Sequence, residues 1–278
     1  MKKINRRSFL ATAGLTAAAL ALTACGGSAS STASSTASSA ASSEAASTSA
    51  AAELTTVEAG KLTMATNAAF PPYEMTTDAG EFEGIDIDTA KAIAEKLGLE
   101  LQIDDMDFDA ALLSVQQGKA DIVMAGVTVT DERKAVMDFS DSYATGIQSI
   151  IVPEGSDITS PDDLAGKKIG TQRGTTGYIY CSDDFGDDAV VAYDNGLTAV
   201  QALNNGQVDA VVIDNAPAKE FVAANPGLVI LDTSYAEEDY AIGMAKGSSL
   251  EDAVNAALEE LKADGTLQSI VDKYINAN

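Results

Sequence analysis

The sequence predicts an α/β protein made of two similar lobes. Short apolar runs alternate with amphipathic helical patterns over most of the chain. In addition, SVQQGKADIVMAG (Ser114–Gly126) and ALNNGQVDAVVID (Ala202–Asp214) repeat one arrangement: a helix end, a glycine, an aspartate three residues later and an apolar strand. Proteins of this class reuse that arrangement freely, so it indicates two lobes only together with two sets of strands.

The first set of elements alternates strand and helix. The predicted strands are LTMAT (Leu62–Thr66), LELQI (Leu99–Ile103) and DIVMAG (Asp121–Gly126), separated by the helices DIDTAKAIAEKLG and FDAALLSVQQG. One face of the first helix is apolar and carries Ile85, Ala90, Ile93, Ala94 and Leu97. Gly98 and Gly118 stand where each helix is expected to end.

The second set predicts a second sheet. Its strands are IQSIIV (Ile147–Val152), KKIGTQ (Lys167–Gln172), VVAYD (Val190–Asp194), VDAVVID (Val208–Asp214) and GLVIL (Gly227–Leu231). YAIGMA, an amphipathic helix from Leu250 to about Asp264 and a further turn or two close the chain. Ligands of open parallel sheets bind beyond the carboxyl ends of strands, so Gly126–Thr130 and Asp214 are expected at a cleft between the lobes.

The charge and composition exclude several classes of function. The chain has 17 Lys and Arg against 42 Asp and Glu, a net charge of −25. Such a surface repels nucleic acid, so no nucleic-acid partner is expected. The chain has no histidine, which excludes Ser-His-Asp and Cys-His catalysis and His-based zinc sites. This removes many of the common hydrolase mechanisms.

The N-terminal residues predict export and anchoring. The basic start MKKINRR and the apolar run Ser8–Ala24 indicate a signal peptide over residues 1–24. The apolar run is too short for a membrane-spanning helix, which needs about 20 residues. LTAC resembles the lipobox of bacterial lipoproteins, in which the signal is cut before the cysteine, here Cys25, and that cysteine is lipidated, as by palmitate. A buried Cys25 is disfavoured, because the Ser/Ala/Thr-rich residues 25–58 have the composition of a disordered tether. The predicted location is extracytoplasmic, with a lipid anchor in the cell membrane.

The export route stays open. NRRSFL resembles a twin-arginine signal, and an ordinary basic start explains the two arginines equally well. The mature chain would keep Cys25 and Cys181 as its two cysteines. With Cys25 lipidated, Cys181 has no partner for an internal disulfide, so the fold has to be held by its apolar core.

Five motifs, in this order and spacing, resemble the periplasmic amino-acid-binding proteins of ABC importers, the glutamine- and histidine-binding type known as solute-binding protein family 3. They are ATNAAFPPYE, FEGIDIDTAKAIAEKLG, MDFDAALLSVQQGKADIVMAGVTVTDERKAVMDFSDSY, GTQRGTTG and VDAVVIDNAP. The resemblance covers residues 60 to 276. It implies a type II periplasmic-binding-protein-like fold, in which two hinge strands join the lobes and one ligand lies in the cleft between them. Lobe one would be 60–144 plus 240–278 and lobe two 145–239, with crossings near Tyr143–Ile147 and Ala236–Tyr240.

The resemblance also implies which residues hold the ligand's carboxylate. Arg133 matches the arginine of a T-x-T-x-x-R pattern, and a planar guanidinium makes two parallel bonds to a carboxylate. The alternative is a surface ion pair of Arg133 with Asp131 or Glu132, which contributes about 0–1 kcal/mol. Thr175 and Thr176 open a helix, where their N–H groups and hydroxyls would bind the same carboxylate; simple N-capping is compatible with this.

The opposite end of the ligand, its ammonium, would be bound by Asp214 together with the carbonyl of Gly126 and the hydroxyl of Thr128. These roles are again implied by the resemblance. An aspartate directly after a strand is also a common N-cap, here for a helix beginning at Asn215. Both interpretations of Asp214 stay open on the residues alone.

Four further residues would surround the ligand's side chain. Phe70 and Phe108 are the expected apolar walls, although Phe108 also suits an ordinary core position. Asn67 and Gln172 match positions that contact the side chain in relatives, where glutamine-binding members carry an acid and a lysine. Two neutral amides favour a polar uncharged side chain. Amides donate and accept hydrogen bonds, so a cationic ligand stays open.

The function implied by the resemblance is that of a monomeric extracytoplasmic lipoprotein that captures an L-amino acid and delivers it to an ABC transporter permease. It implies binding rather than catalysis, with no catalytic residue, metal or cofactor. Two rivals remain. The same fold hosts a cyclohexadienyl dehydratase, for which the carboxylates Asp104, Asp105 and Asp107 are candidates, although such clusters are usually solvated surface. A receptor-like sensor lobe is disfavoured because no apolar membrane helix precedes Asn278.

Overall fold

The computed structural model describes residues 54–275. The predicted signal peptide, Cys25 and nearly all of the tether lie outside these residues. The strands are β1 (Lys61–Thr66), β2 (Ala69–Phe70), β3 (Glu74–Thr76), β4 (Phe82–Glu83), β5 (Glu100–Asp105), β6 (Ile122–Val123), β7 (Met137–Phe139), β8 (Ala144–Pro153), β9 (Ile169–Gln172), β10 (Val190–Tyr193), β11 (Ala210–Asp214), β12 (Leu228–Ile230), β13 (Ala236–Tyr240) and β14 (Gly243–Ala245). The helices are α1 (Ile85–Leu97), α2 (Phe108–Gln116), α3 (Asp131–Lys134), α4 (Thr176–Phe185), α5 (Gly196–Asn204), α6 (Asn215–Ala224), α7 (Glu251–Ala263) and α8 (Thr266–Ile275).

Two separate sheets form the centres of two lobes, which belong to one structural unit. The first has the order β5-β1-β6-β14-β7, with β5 and β6 parallel to β1 and β14 antiparallel to β6 and β7. The second has the order β10-β9-β11-β8-β12, with β13 also paired to β8. In it β10 and β11 run parallel to β9, whereas β8 is antiparallel to β11, β12 and β13. Both sheets are therefore mixed rather than wholly parallel.

Two strands carry the chain between the lobes. β8 follows β7 of the first sheet and enters the second, and β13 leads from the second sheet back to β14 of the first. The two pair antiparallel along their length, with Ala236 opposite Gln148 and Tyr240 opposite Ala144. This pair is the hinge implied by the resemblance, and it holds the lobes side by side.

The local signals in the sequence explain where most elements end. Gly98 adopts a left-handed conformation and caps α1. α2 ends two residues before Gly118, at Gln116. Two expectations were incomplete: the turns predicted after α7 are the full helix α8, and the small sheet β2-β3-β4 was not predicted. Its strands have two or three residues, too few to show an alternating pattern.

The aspartate shared by the two repeated stretches has a structural role. Asp121 accepts hydrogen bonds from the N–H groups of Val57 and Thr63, each at 2.7 Å. Its counterpart Asp209 accepts one from the N–H of Lys168 at 2.7 Å. Each aspartate stands directly before a strand, β6 or β11, and binds backbone N–H groups within or shortly before the neighbouring strand, β1 or β9. The repeated strands then run toward the same region between the lobes.

Candidate ligand-binding site

A small cavity lies between the two sheets, at the ends of the repeated strands. Every residue predicted to bind ligand lines it except Arg133, and Glu74 and Ala125 complete its wall. Its volume is about 10 Å³, close to the space of a single water molecule. The two lobes therefore meet directly here, and an amino acid can enter only if they separate.

Arg133 points into the cleft rather than to the surface. Its side chain is 8% exposed, and its guanidinium donates to the carbonyl of Thr128 at 2.7 Å and to that of Gly174 at 3.1 Å. Thr128 precedes β7 in the first lobe, whereas Gly174 follows β9 in the second. Among residues 54–275 no carboxylate lies within ion-pair distance of Arg133, so the surface pair with Asp131 or Glu132 is wrong.

The local fold explains this orientation. Thr130 caps the one-turn helix α3 by accepting from the N–H of Arg133, and the guanidinium carbon lies 5.4 Å from the centre of the Phe108 ring. Burial lowers the pKa of the guanidinium, and the charge of Glu238 opposes that change. An arginine keeps its charge under either influence. It therefore places a cation with unused donors beside the cavity.

Asp214 also turns into the cavity. It occupies the N-cap position of α6, but its side chain makes no capping hydrogen bond. Instead its carboxylate accepts from the hydroxyl of Tyr240 and from Nε2 of Gln148, the latter at 2.8 Å. Burial raises the pKa of Asp214 to about 7, with a further increase from the charge of Glu238. A cationic ligand group beside this carboxylate would remove the cost of ionising it.

The helix that was expected to hold a carboxylate, α4, begins at the cavity. Thr175 is its N-cap: the hydroxyl accepts from the N–H of Tyr178 at 3.3 Å and donates to the carbonyl of Gln172 at 2.8 Å. The hydroxyl of Thr176 donates to Glu238 at 3.0 Å. Both hydroxyl protons are thus engaged within the protein. The other N–H groups of this first turn remain the donors that a carboxylate would meet.

Gly126 and Thr128 lie where the chain leaves β6. Gly126 adopts φ 55°, and a methyl group in place of its hydrogen would lie 2.9 Å from Cε1 of Phe70. Its N–H donates to the buried carboxylate of Asp86 at 3.0 Å. Only glycine fits this close approach at a positive φ without strain. The packing of Phe70 and Asp86 thus fixes the loop that presents Gly126 to the cavity.

The two phenylalanines have mixed roles. Phe70 and Phe108 are both buried and line the cavity, and each also belongs to a hydrophobic cluster: that of Phe108 lies within the first lobe, whereas that of Phe70 includes residues of both lobes. Phe70 stacks on Tyr73, which in turn meets Tyr240 edge to face. Since these contacts restrict its movement, Phe70 forms a rigid wall of the cavity.

Asn67 and Gln172 contact each other across the cleft. Nε2 of Gln172 donates to Oδ1 of Asn67 at 2.9 Å, and Nδ2 of Asn67 donates to the carbonyl of Met106 at 2.8 Å. The two amides belong to different lobes. A ligand side chain placed between them would have to replace their mutual bond.

Several buried groups of the site were missed by the sequence interpretation. Glu74 and Asp86 are fully buried. The carboxyl group of Glu74 interacts with that of Asp86 and has no other hydrogen-bond partner within the described part of the chain. Burial, followed by the nearby charge of Asp86, raises the pKa of Glu74 well above its ordinary value. Burial also raises the pKa of Asp86 to about 6, against bonds donated by Gly126 and Tyr143 that lower it. Glu74 was visible within the motif ATNAAFPPYE, but no periodic pattern marked it as inward-facing.

Two features seen in other kinds of protein are absent from residues 54–275. They contain no group of acidic or cysteine side chains arranged to hold a metal ion. No helix among them has the length and apolarity needed to cross a membrane.

Comparison with known proteins identifies the family. The sequence profile of the bacterial extracellular solute-binding proteins, family 3, matches residues 62–277. The chain belongs to that family. Its members bind solutes for transport, which confirms the prediction of a binding protein rather than an enzyme. The family also agrees with the predicted extracytoplasmic place.

Individual relatives support the family and the fold. A probable histidine-binding protein of Neisseria gonorrhoeae is 32% identical over 279 residues, which cover 98% of this chain and 96% of that protein. The solved structure of ArtJ, an arginine-, lysine-, histidine-binding protein of Geobacillus stearothermophilus, is 34% identical with a TM-score of 0.75 and covers 78% of this chain and 96% of that chain. An ancestral arginine-binding protein bound to glutamine is 44% identical with a TM-score of 0.74, covering 78% of this chain and 98% of that chain. These matches confirm the predicted two-lobed α/β fold.

Proposed function

We propose that the protein captures a free L-amino acid between its lobes and delivers it to the permease of an ABC importer. One observation carries this proposal: a buried guanidinium, Arg133, lies beside a cavity that is lined by a buried carboxylate, Asp214. An amino acid carries the complementary charges on adjacent groups. Buried charges need such partners, because an uncompensated ion in a desolvated site is costly.

The carboxylate of the ligand would meet Arg133 and the first turn of α4. The guanidinium uses two of its donors on the carbonyls of Thr128 and Gly174 and has five in all. The N–H groups at the start of α4 add donors and the positive end of a helix dipole. The ammonium would meet Asp214, the carbonyl of Gly126 and the hydroxyl oxygen of Thr128. Each end of the ligand thereby contacts both lobes, which favours the closed arrangement.

The side chain of the ligand would extend toward Asn67 and Gln172. Two neutral amides favour a polar uncharged side chain, which they can bind both as donors and as acceptors. A cationic side chain is a second candidate, supported by the buried carboxyl group of Glu74 in the cavity wall. The arginine- and histidine-binding names of the relatives also favour it. A cationic side chain would form an ion pair with an ionised Glu74, whereas an uncharged ligand would form none.

The transport cycle follows from the hinge. Opening about β8 and β13 would admit the ligand, and closure would present one joint surface of both lobes to a permease. A lipid on Cys25 and the tether of residues 25–58 would keep a monomer of this protein at the membrane. Such tethering raises the effective concentration of the binding lobes near the permease.

The experiment that tests the proposal is a thermal-shift screen of residues 54–278 against the twenty L-amino acids, followed by calorimetry on any that bind. A ligand that binds only the native state raises its melting temperature. Arg133→Ala is then expected to remove about 2–5 kcal/mol of binding free energy, because it leaves a buried carboxylate unpaired. Arg173→Ala is the matched control, since Arg173 is exposed and pairs with Asp194 only at 3.7 Å. If no amino acid shifts the melting temperature, or if the two variants bind alike, the proposal is wrong.

A second variant separates the two classes of side chain. Glu74→Gln keeps the shape of a protonated Glu74 but cannot ionise. It is expected to leave the affinity for an uncharged ligand such as glutamine nearly unchanged. For arginine it is expected to cost about 2 kcal/mol or more, the value of a lost charged hydrogen bond. Calorimetry with both amino acids on wild type and variant decides between them.

A further inference from the structure

The hinge strand β13 delivers a buried carboxylate, Glu238, to the floor of the cleft. Glu238 is 6% exposed, and its Oε2 accepts hydrogen bonds from the hydroxyl of Thr128 at 3.1 Å, from the hydroxyl of Thr176 at 3.0 Å and from Nε2 of Gln148 at 2.9 Å. Its other oxygen is also buried, and the hydroxyl of Tyr180 interacts with the same carboxylate. Thr128 belongs to the first lobe and Thr176 to the second. One carboxylate oxygen therefore joins both lobes and the hinge.

These bonds determine which way the two threonine hydroxyls point. A hydroxyl has one proton to donate and two lone pairs that accept. A carboxylate only accepts, so Thr128 and Thr176 each give their proton to Glu238. The lone pairs that remain are all these hydroxyls can offer to a ligand. Lone pairs attract an ammonium group and repel a carboxylate.

The neighbouring charges act in the same direction. Nε2 of Gln148 donates to Asp214 as well as to Glu238, at 2.8 and 2.9 Å, so one amide holds the two carboxylates near each other. Among the charged neighbours of Arg133, Glu238 has the largest effect on the pKa of the guanidinium, which it raises. The acceptors of the cleft are therefore two carboxylates and two hydroxyl oxygens, whereas its donors are the Arg133 guanidinium and N–H groups at the start of α4.

We propose that Glu238 is a positioning residue that sets the polarity of the cleft, so that the threonine oxygens receive the α-ammonium of the ligand and only Arg133 and α4 receive its carboxylate. The inference rests on the proposed function, because it assumes an amino-acid ligand. It assigns to the hinge a part in recognition as well as in movement. It also corrects the expected role of the Thr176 hydroxyl, which accepts from the ligand rather than donating to its carboxylate.

The test compares ligands with and without an α-amino group. The variant is Glu238→Gln, which has nearly the same shape, but its amide can donate to the threonine oxygens and turn their protons toward the ligand. The probes are L-arginine and L-glutamine, each against the same molecule lacking its α-amino group, with affinities from calorimetry or from thermal shifts at millimolar ligand. The affinity for the amino acids is expected to fall about tenfold or more. The affinity for the deamino analogues is expected to stay nearly constant, so the preference for the α-amino group falls.

The control is Glu237→Gln, which removes the same charge from an exposed neighbour on the same strand. It is expected to preserve the preference for the α-amino group. If Glu238→Gln weakens both kinds of ligand equally, or neither, Glu238 is only structural and the inference is wrong. If Glu238→Gln does not fold, Thr128→Ala removes a hydroxyl that Glu238 orients and has to show the same selective loss. Failure of wild type to bind any amino acid would instead refute the proposed function itself.

Discussion

Lowering the pH from 8 to 5 is expected to weaken amino-acid binding about a hundredfold, because Asp214 then binds a proton where the ligand's ammonium should be. Burial raises the pKa of this carboxyl group to about 7. If only the ionised form binds well, the affinity falls up to about tenfold for each pH unit below 7. Protonation of Asp86, whose pKa is raised to about 6, removes a second negative charge near the cavity and acts in the same direction.

The stability of the free protein should show the opposite slope. Folding raises the pKa of Asp214 from its ordinary value of 3.8 to about 7, so between about pH 4 and 7 the native state holds a proton that the unfolded state has lost. Protein without ligand therefore becomes less stable as the pH rises through this window. Saturating ligand reverses much of this change, because its ammonium stabilises the ionised carboxylate.

The assay is calorimetry and thermal melting at several pH values, with and without ligand. Asp214→Asn is the control, since it cannot titrate; it should bind weakly and show a much flatter pH profile. The reasoning is refuted if the affinity of wild type is constant from pH 8 to 5, or if Asp214→Asn keeps the full pH dependence. Either result would mean that the ammonium does not depend on an ionised Asp214.

Three further predictions concern packing. Gly126→Ala is expected to lower the free energy of unfolding by about 1–3 kcal/mol, because a positive φ and the close ring of Phe70 both oppose a methyl group; denaturant unfolding measures this, and an unchanged midpoint would contradict it. Cys181 is buried and burial raises the pKa of its thiol to about 12, so a thiol reagent should label it only after unfolding; rapid labelling of native protein would contradict this. Asp121→Ala leaves two backbone N–H groups without an acceptor and is expected to lower the free energy of unfolding by about 1–3 kcal/mol. The loss should exceed that of Asp209→Ala, which leaves one N–H group without an acceptor. Equal melting temperatures of the two variants would contradict this difference.

The sequence predicted most of the architecture because its signals are local. Glycines at the ends of helices, apolar periodicity and the repeated stretch identified the main strands and helices of both lobes. The hairpin strands around Glu74 are too short for such patterns and depend on packing against α1 and on the hydrogen bonds of Pro72 and Tyr73 to its first turn. Their position could be obtained only from the folded chain.

In the binding site, too, the sequence alone could not predict which side chains point inward. Asp214 at the end of a strand fits an N-cap and a ligand contact equally well in sequence, and only Tyr240 and Gln148, distant in the chain, turn its side chain into the cavity. Glu238 lies in the acidic run EED, which resembles solvated surface. Alternation along β13 buries Glu238 and exposes Glu237 and Asp239, a signal that was available once this segment was taken as a strand.

If the ligand's side chain extends toward Asn67 and Gln172 as proposed, it has to compete with the hydrogen bond between these two amides. A short side chain would leave this hydrogen bond in place, so it would neither lose nor gain binding free energy at this position. A long side chain has to pass between the two amides, break their bond and satisfy both partners at once. Selection at this position is therefore by length and hydrogen-bonding capacity together, and a side chain that reaches the amides without matching them is penalised more than one that falls short.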